Sequence, residues 1–449
     1  MKSIRSIKKI TYLQLLLLHI AMGLIVYMVE FTSKFFLFGA IVYFLYRVFA
    51  NGNRKDEVLL GAAYVTGFEV FSRMTGGAFT YEFAKYGVIL FLLIGMFFRG
   101  FNTKSWPYLI FILLLIPGIF FATLNLNYET NVANAVGFNL SGPICLAISA
   151  LYCYNRKMKI ERLHGILLAA LLPIISMTVY LYVFTPNIRD VLTGTQSNFE
   201  TSGGFGPNQV ATVLGLGMFI LFARLILIKS RLINIIDLIL LIFVSYRGIV
   251  TFSRGGVITA VIIAAVFFLI YLFHSHAKER GSLIAKIAFI GIVISITWVF
   301  TSVSTEGLID KRYANQDASG RAKEDLTTGR AALINTELEA FYDNPITGVG
   351  VGKMKEYRFE QTGRLSASHN EMTRILSEHG LFGLFGMIIL IFTPLVFRLS
   401  NKSNIYLFSF FLFWLLTINH SSMRIAAPAF IYGLCLISII YVEKPAIHR

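Results

Sequence analysis

The chain has 449 residues, of which 56% are hydrophobic and only 14% are charged, with a formal net charge of +16 at pH 7. Its mean hydropathy is +0.69. Soluble domains have roughly 25% charged residues, so this composition excludes an ordinary soluble protein and indicates one that crosses a membrane many times. The three cysteines (Cys145, Cys153 and Cys435) fall within apolar stretches, and we expect neither a disulfide framework nor a metal site from them.

Apolar stretches recur along the whole chain, and many approach or exceed the ~20 residues that a helix needs to cross a bilayer. The predicted spans are approximately 10–29, 33–50, 57–73, 83–99, 106–122, 137–154, 163–184, 207–228, 232–251, 255–274, 284–303, 371–398, 403–419 and 424–441. We therefore expect an all-α, polytopic transmembrane bundle of about 12–14 helices with one large extracytoplasmic loop containing short helices. The expected division is 1–303 (transmembrane helices 1 to 11), 304–370 (the large loop) and 371–449 (C-terminal transmembrane helices).

Lysine and arginine are concentrated in alternate loops. The basic loops read "MKSIRSIKK", "NGNRKDE", "FRGFNTKS", "NRKMKIER", "IKSR", "HSHAKERGS", "RLSNKSN" and "EKPAIHR". By the positive-inside rule, these loops and both termini are expected in the cytoplasm, and the large loop on the outer side. Much of the net charge reflects this bias toward an anionic leaflet, so no nucleic-acid partner is needed to explain it.

This topology gathers six polar residues on the outer side. They are Asn208 in "GGFGPNQV", Arg254 in "TFSRGGV", Arg330 in "TTGR", His369 and Asn370 in "SASHNEM", and Arg424 in "NHSSMR", and these six are the candidate site residues. His420, in the same "NHSSMR" stretch, is expected on the outer side as well. Arginines at span ends commonly snorkel to the interface, and this remains an alternative role for Arg424.

The start of the span after the large loop has the spacing of a capping box. Ser368 and Glu371 are expected to cap each other's backbone N–H groups, which would leave His369 and Asn370 free. His379 would lie deeper along the same helix, where we expect it to pack against a neighbouring span.

The large loop itself is predicted to contain a helix from about Gly329 to Tyr342, capped by Thr328, with one apolar stripe. "DNPITGVGVGK" then breaks the helical pattern. Its "GVGVGKM" does not have the P-loop spacing G-x-x-x-x-G-K-[ST], so a nucleotide site is not expected.

Two arginines and a histidine on one membrane surface suggest phosphate chemistry. Guanidinium forks match phosphate oxygens, and the free N–H groups of a helix N-terminus beside Arg254 add to the attraction. A histidine at a helix N-terminus tends to stay neutral and can accept a proton. These groups together could hold a lipid pyrophosphate and deprotonate a hydroxyl that attacks it, without a metal or another cofactor.

The stretch "TTGRAALINTELEAFYDNPITGVGVGKMKEY", followed by "SASHNEMTRILSEHGLFGLFG", resembles the bacterial O-antigen ligase and O-antigen polymerase superfamily of polytopic glycosyltransferases. The family order is Gly-Arg, then Asn-Pro with Gly-x-Gly, then His-Asn, then Glu-x-Gly-x-x-Gly. "FSRGG" and "GFGPNQVA" also resemble family motifs, and the resemblance extends over roughly residues 200–390.

The resemblance implies an inverting, metal-independent glycosyl transfer at the periplasmic face of the inner membrane, in lipopolysaccharide or surface-polysaccharide synthesis. The donor would be a glycan on undecaprenyl pyrophosphate, and the acceptor lipid A-core for a ligase or another lipid-linked glycan for a polymerase. Arg254 and Arg330 would bind the pyrophosphate and stabilise it as it leaves, and His369 would be the base. Asn208, Asn370 and Arg424 would bind donor or acceptor.

A transporter or flippase of lipid-linked saccharides is the alternative. Such a protein is expected to place charges in the middle of its spans. The chain offers few of them, namely Glu69, Arg73, Asp237 and Arg247. The i, i+4 spacing of Glu69 and Arg73 favours a structural ion pair.

Overall fold

The computed structural model describes residues 9–441 except 326, 328 and 364, and nearly all regular structure in this part of the chain is helical. Eleven helices precede the large outer segment: α1 (Lys9–Met28), α2 (Thr32–Asn51), α3 (Glu57–Met74), α4 (Phe83–Arg99), α5 (Trp106–Asn125), α6 (Val132–Cys153), α7 (Ile160–Phe184), α8 (Pro207–Leu227), α9 (Arg231–Ile249), α10 (Arg254–His274) and α11 (Ala277–Ser304). The outer segment has α12 (Leu308–Tyr313), α13 (Arg330–Asp343) and α14 (Met354–Thr362), and α15 (Glu371–Ser400), α16 (Leu407–Ile418) and α17 (Ala426–Cys435) follow.

Ten of these helices are long and apolar enough to cross a membrane: α1, α2, α5 to α11 and α15. The all-α polytopic bundle predicted from composition is thereby confirmed. Each of the fourteen predicted spans coincides with a helix, but α16 and α17 are short, and α3 and α4 do not meet the same criterion of length and hydropathy.

The last predicted span, 424–441, is wrong in its second half. Helix α17 ends at Cys435, and the chain continues into a short strand, β2 (Ser438–Ile440). This strand pairs in parallel with β1 (Lys157–Lys159), which precedes α7. Hydropathy indicated an unbroken helix because pairing between strands so distant in sequence leaves no local signal.

The loops separate to opposite ends of the bundle as their charge alternation predicts. At the end with the basic loops, Arg156 donates to the carbonyl oxygen of Gly100 at 3.0 Å, and Lys229 lies 3.5 Å from Glu279. The opposite end has the segment between α11 and α15 and is called the outer end below. The placement of this end on the periplasmic side stays a prediction.

A glycine-rich segment of the outer loop, residues 344–353, inserts between α5 and α15. The backbone N–H groups of Gly350 and Val351 donate to the carbonyl oxygens of Glu378 (3.2 Å) and Gly118 (3.0 Å), respectively. Gly350 has a φ of +95°, and a Cβ there would come within 2.7 Å of the backbone nitrogen of Ala122. Glycine is therefore required at position 350 both by its left-handed backbone conformation and by its close approach to α5. Phosphate binding is not needed to explain it.

Two predictions about buried polar residues in the bundle are confirmed. Glu69 and Arg73 form an ion pair at 2.6 Å. His379 is fully buried, and its ring packs on Gly118 of α5 so closely that a Cβ at Gly118 would collide with the ring.

The topology predicts different accessibility at two exposed positions. Cysteine introduced at Ser319, between α12 and α13, should react with a membrane-impermeant thiol reagent in intact spheroplasts, and cysteine at Lys157 in β1 should not. Labelling of the Lys157 position alone would place the outer end in the cytoplasm and contradict the functional proposal below.

Candidate active site

An open cavity of about 1090 Å³ lies at the outer end. Four of the six residues predicted from sequence line it: Asn208, Arg330, His369 and Arg424. It is called the cationic cavity because its lining has five cationic side chains and one carboxylate: Arg312, Lys323, Arg330, Arg358, Arg424 and Asp325. The carboxylate of Asp325 accepts hydrogen bonds from the backbone N–H groups of Thr327 and Gly329, which precede α13.

Arg254 is the first residue of α10 and lies behind the cavity wall. Its guanidinium donates to the side-chain oxygen of Asn315 and to the carbonyl oxygen of Arg312 at 3.3 Å. The preceding residue, Ser253, donates its hydroxyl to the side-chain oxygen of Asn208 at 2.7 Å. The starts of α8 and α10 are therefore joined directly beneath the cavity.

Arg330 begins α13, one residue later than predicted, and Gly329 before it has a left-handed backbone (φ +81°). The predicted cap, Thr328, lies outside the described residues. Among the described residues, the Arg330 guanidinium has neither an ion pair nor a hydrogen bond. Burial and the positive charge of Arg254 lower the pKa of Arg330 from its ordinary value.

Arg312, in the short helix α12, is a further cationic residue of the cavity that the sequence reasoning missed. Its Nε donates to the carbonyl oxygen of Phe252 at 3.0 Å. Burial, and then the charges of Arg254 and Arg330, lower the pKa of Arg312. Three arginines from α10, α12 and α13 therefore lie close enough to affect one another, and none of them has a carboxylate partner in the part of the chain that the structure describes.

His369 is half-buried at the edge of this cavity. Burial lowers the pKa of its imidazole to about 4, and neighbouring positive charges contribute to the shift. These charges belong to Arg424, Arg330 and Arg358. The ring has no hydrogen-bond partner among the described residues, so at neutral pH it is uncharged and free to accept a proton.

The capping box expected at the start of α15 does not form. The Oδ1 atom of Asn370 caps the helix instead, accepting from the N–H groups of Met372 (2.9 Å) and Thr373 (3.4 Å). Asn370 donates its amide to the side-chain oxygen of Asn419 at 3.2 Å and does not line the cationic cavity. Glu371, the other expected member of the box, forms an ion pair with Arg374.

Arg358 fixes the backbone on which His369 lies. Its guanidinium donates to the carbonyl oxygen of Ser366 (2.7 Å) and to the Oγ of Ser368 (2.8 Å), and it forms an ion pair with Glu337 of α13. Arg424 donates to the carbonyl oxygen of Ser368. Ser368 is thus held through its side chain and its backbone, which orients the next residue, His369.

A second outer histidine, His420, is buried between α8 and α10. Its Nδ1 lies 2.9 Å from the carbonyl oxygen of Leu416, and its Nε2 lies 3.4 Å from the Oγ1 of Thr212. Its ring packs on Gly255, where a Cβ would collide with it. His420 does not line the cationic cavity, so its contacts are structural.

Groups of three or more His, Cys, Asp or Glu side chains suited to a metal ion are absent from the described residues. Residues 238–388 match the family model described as O-antigen ligase. This match supports the resemblance of the segment to the O-antigen ligase and polymerase superfamily that its motifs indicated. The match includes the three arginines and His369 but not Asn208 or Arg424, and it indicates a membrane glycosyltransferase of the ligase or polymerase type. No curated protein matches the chain.

The contacts of Arg358 predict a large effect on folding. Both Arg358 and Glu337 are only 1% exposed, so Arg358→Ala leaves a buried carboxylate without its partner, which typically costs about 3–5 kcal/mol. We expect a clearly lower thermal unfolding midpoint in detergent.

The matched control is the double variant Arg358→Met with Glu337→Met. Apolar replacement of a whole buried ion pair is often neutral or stabilising, so the double variant should unfold at a higher temperature than Arg358→Ala. Equal midpoints for Arg358→Ala and the wild type would show that the pair does not stabilise the outer segment.

Proposed function

We propose that the protein transfers a glycan from undecaprenyl pyrophosphate to a sugar hydroxyl, and that it does so in the cationic cavity on the periplasmic face of the bacterial inner membrane. The acceptor is lipid A-core in a ligase reaction or another lipid-linked glycan in a polymerase reaction. The family match supports the reaction class, and the cavity supports the kind of donor.

The single observation behind this proposal is the excess of positive charge beside a neutral histidine. Arg254, Arg312 and Arg330 repel one another in a partly buried setting, and none of them forms an ion pair with a carboxylate of the described residues. A pyrophosphate bound in the cavity would relieve this repulsion and accept charge-assisted hydrogen bonds from Arg312 and Arg330, which line it, while Arg254 adds positive charge from behind the wall.

In the proposed reaction, the acceptor hydroxyl gives its proton to His369. The oxygen of the acceptor hydroxyl forms a bond to the anomeric carbon of the donor, and the bond from that carbon to the pyrophosphate oxygen breaks. The leaving pyrophosphate keeps the electron pair, and the arginines stabilise its charge in the transition state. A single displacement of this kind inverts the anomeric configuration, and the charge stabilisation comes from guanidinium groups in a metal-independent way.

The transporter alternative receives less support from the spans. Three of the four mid-span charges named above form ion pairs: Glu69 with Arg73 at 2.6 Å, and Asp237 with Arg224 at 3.0 Å. The fourth, Arg247, donates to the carbonyl oxygen of Thr185 at 2.8 Å and lies over the ring of Tyr182. Fixed ion pairs of this kind fit a structural role better than a transport pathway.

A deletion strain separates the two acceptors. Single unpolymerised repeats on the cell surface would identify a polymerase. Long chains left on the carrier lipid, together with bare core, would identify a ligase.

The arginines should be required for transfer. Arg254→Ala and Arg330→Ala are each expected to lower turnover by about 10²–10³-fold or more, because each removes a group that stabilises the leaving pyrophosphate. Both variants should still insert into the membrane. Lysine at either position should restore little activity, since a point charge does not reproduce the guanidinium fork.

The readout is transfer by purified protein, with membrane insertion checked by fractionation. Near-wild-type activity of both lysine variants would indicate general electrostatic anchoring instead of bidentate recognition. Near-wild-type activity of both alanine variants would contradict the proposed function itself.

His369 should act as the general base. His369→Ala and His369→Gln are expected to lower single-turnover transfer by about 10²–10⁴-fold, because glutamine can hydrogen-bond but cannot take the proton. Donor affinity, which depends on the arginines, should change little. A His369→Gln variant that turns over at close to the wild-type rate, or that fails through lost folding or donor binding, would rule out this role.

The pH dependence gives an independent test of the same role. With a pKa of about 4 in the free protein, His369 is deprotonated above this value, so kcat/KM should fall only as the pH drops toward 4 and not near 6.5. The acid limb of kcat should lie at higher pH, because the negative charge of bound pyrophosphate offsets the arginines that depress the pKa.

A further inference from the structure

A second cavity, of about 450 Å³, lies at the outer end on the other side of residues 365–369. Ser366 and His369 line the cationic cavity, whereas Ala367 and Ser368 line the second one. Arg424 lines both. The segment 365–369, called the partition below, therefore lies between two cavities and has residues in the lining of each.

The two cavities differ in charge. The second has three cationic and three anionic side chains in its lining: Lys355, Arg374, Arg424, Glu356, Glu371 and Glu378. Arg374 is paired with both Glu371 and Glu378, and Glu356 is paired with Lys353 at 2.8 Å. This charge-balanced space, called the neutral cavity below, offers no reason for a phosphate to bind there.

The remaining lining of the neutral cavity has the chemistry that recognises hydroxyl groups. Asn131, Asn134 and Asn139 line it on successive turns of α6 and its cap, and amide side chains both donate and accept hydrogen bonds. Phe138 adds an aromatic ring whose centroid lies 5.7 Å from the Lys355 ammonium. Amides around an aromatic ring suit the hydroxyls and the apolar C–H face of a sugar.

We infer that the neutral cavity binds sugar residues of the acceptor glycan. This inference rests on the proposed function and specifies where its second substrate lies. The cavity volume falls within the ~300–1,000 Å³ usual for small-molecule sites. The acceptor sugars occupy the neutral cavity, the donor pyrophosphate occupies the cationic cavity, and the reacting hydroxyl crosses the partition beside Arg424 to reach His369.

The test measures sugar binding without transfer. The probes are two lipid-free oligosaccharides of the host strain, one for each acceptor: the core oligosaccharide released from lipopolysaccharide by mild acid, and the repeat-unit oligosaccharide released by mild acid from the carrier pyrophosphate. The affinities below refer to whichever of the two the wild type binds. Asn134→Trp fills the neutral cavity from the first turn of α6 and should raise the Kd for this probe by about tenfold or more, as expected for the loss of one or two hydrogen bonds. Phe138→Leu keeps an apolar group but removes the aromatic ring, and it should raise the Kd as well.

Two controls accompany these variants. Ala133→Trp places the same bulky side chain at the neighbouring exposed position, which does not line the cavity, and it should leave the Kd unchanged. Arg330→Ala should also leave the oligosaccharide Kd unchanged, and inorganic pyrophosphate should not compete with the oligosaccharide.

Several results would overturn the inference. The first is undetectable oligosaccharide binding by the wild type. The second is equal affinity in Asn134→Trp, Phe138→Leu and the wild type. The third is loss of affinity in Arg330→Ala together with competition by pyrophosphate, which would place the sugars in the cationic cavity. The proposed function fails separately, through active Arg254→Ala and Arg330→Ala variants in the transfer assay, so the two failures are distinguishable.

Discussion

The geometry of the outer end depends on one buried ion pair, between Arg358 of α14 and Glu337 of α13. Removing two charges from water is costly, and such a pair is tolerated only where further hydrogen bonds satisfy it. Arg358 also bonds the backbone at Ser366 and the side chain of Ser368, and Glu337 also accepts from Thr373 of α15. One interaction therefore joins both loop helices, the partition and the first turn of α15, so it fixes the position of His369.

The outer segment also packs directly against the backbones of the bundle helices, and glycine residues allow this close approach. Gly348 and Gly350 have left-handed backbones and lie against the backbones of α15 and α5. Gly380 interrupts α15 with a φ of +59°, and the N–H of the following Leu381 donates to the carbonyl oxygen of Pro345 at 2.8 Å. The kink in α15 and the inserted glycine-rich segment thus satisfy each other's backbone hydrogen-bonding groups, which a continuous helix could not do.

Much of this architecture could be predicted from the sequence because it depends on local patterns. Hydropathy located the helices, and the i, i+4 spacing identified the Glu69–Arg73 pair. The predicted capping box does not form, although its spacing is correct. The hydroxyl of Ser368 accepts a hydrogen bond from Arg358 instead, and Asn370 is equally suited to cap α15. Capping residues compete, and tertiary contacts decide between them.

Arg312 illustrates the other limit of the sequence. It lies in a six-residue helix within a polar segment, where a charged residue ordinarily has a solvated role. Its side chain is only 8% exposed, and only its packing against the chain at Phe252 brings it beside Arg254 and Arg330. The cluster consists of residues from α10, α12 and α13, and local sequence patterns do not predict contacts between residues so far apart in the chain. The same limit applies to the neutral cavity, which α6 and the partition form together.

The arginines have opposite effects on His369 at the two ends of the proposed reaction. Before the donor binds, their charge disfavours the imidazolium and keeps the ring able to accept a proton. As the glycosidic bond to pyrophosphate breaks, negative charge accumulates on the leaving group beside Arg330, one of the arginines that lower the pKa of His369. That charge favours the imidazolium formed at the same moment on His369. A base with a pKa near 4 is intrinsically weak, but the negative charge that develops on the leaving group raises its proton affinity. Proton transfer and departure of pyrophosphate are therefore electrostatically coupled, and Arg330 is the arginine that acts on both.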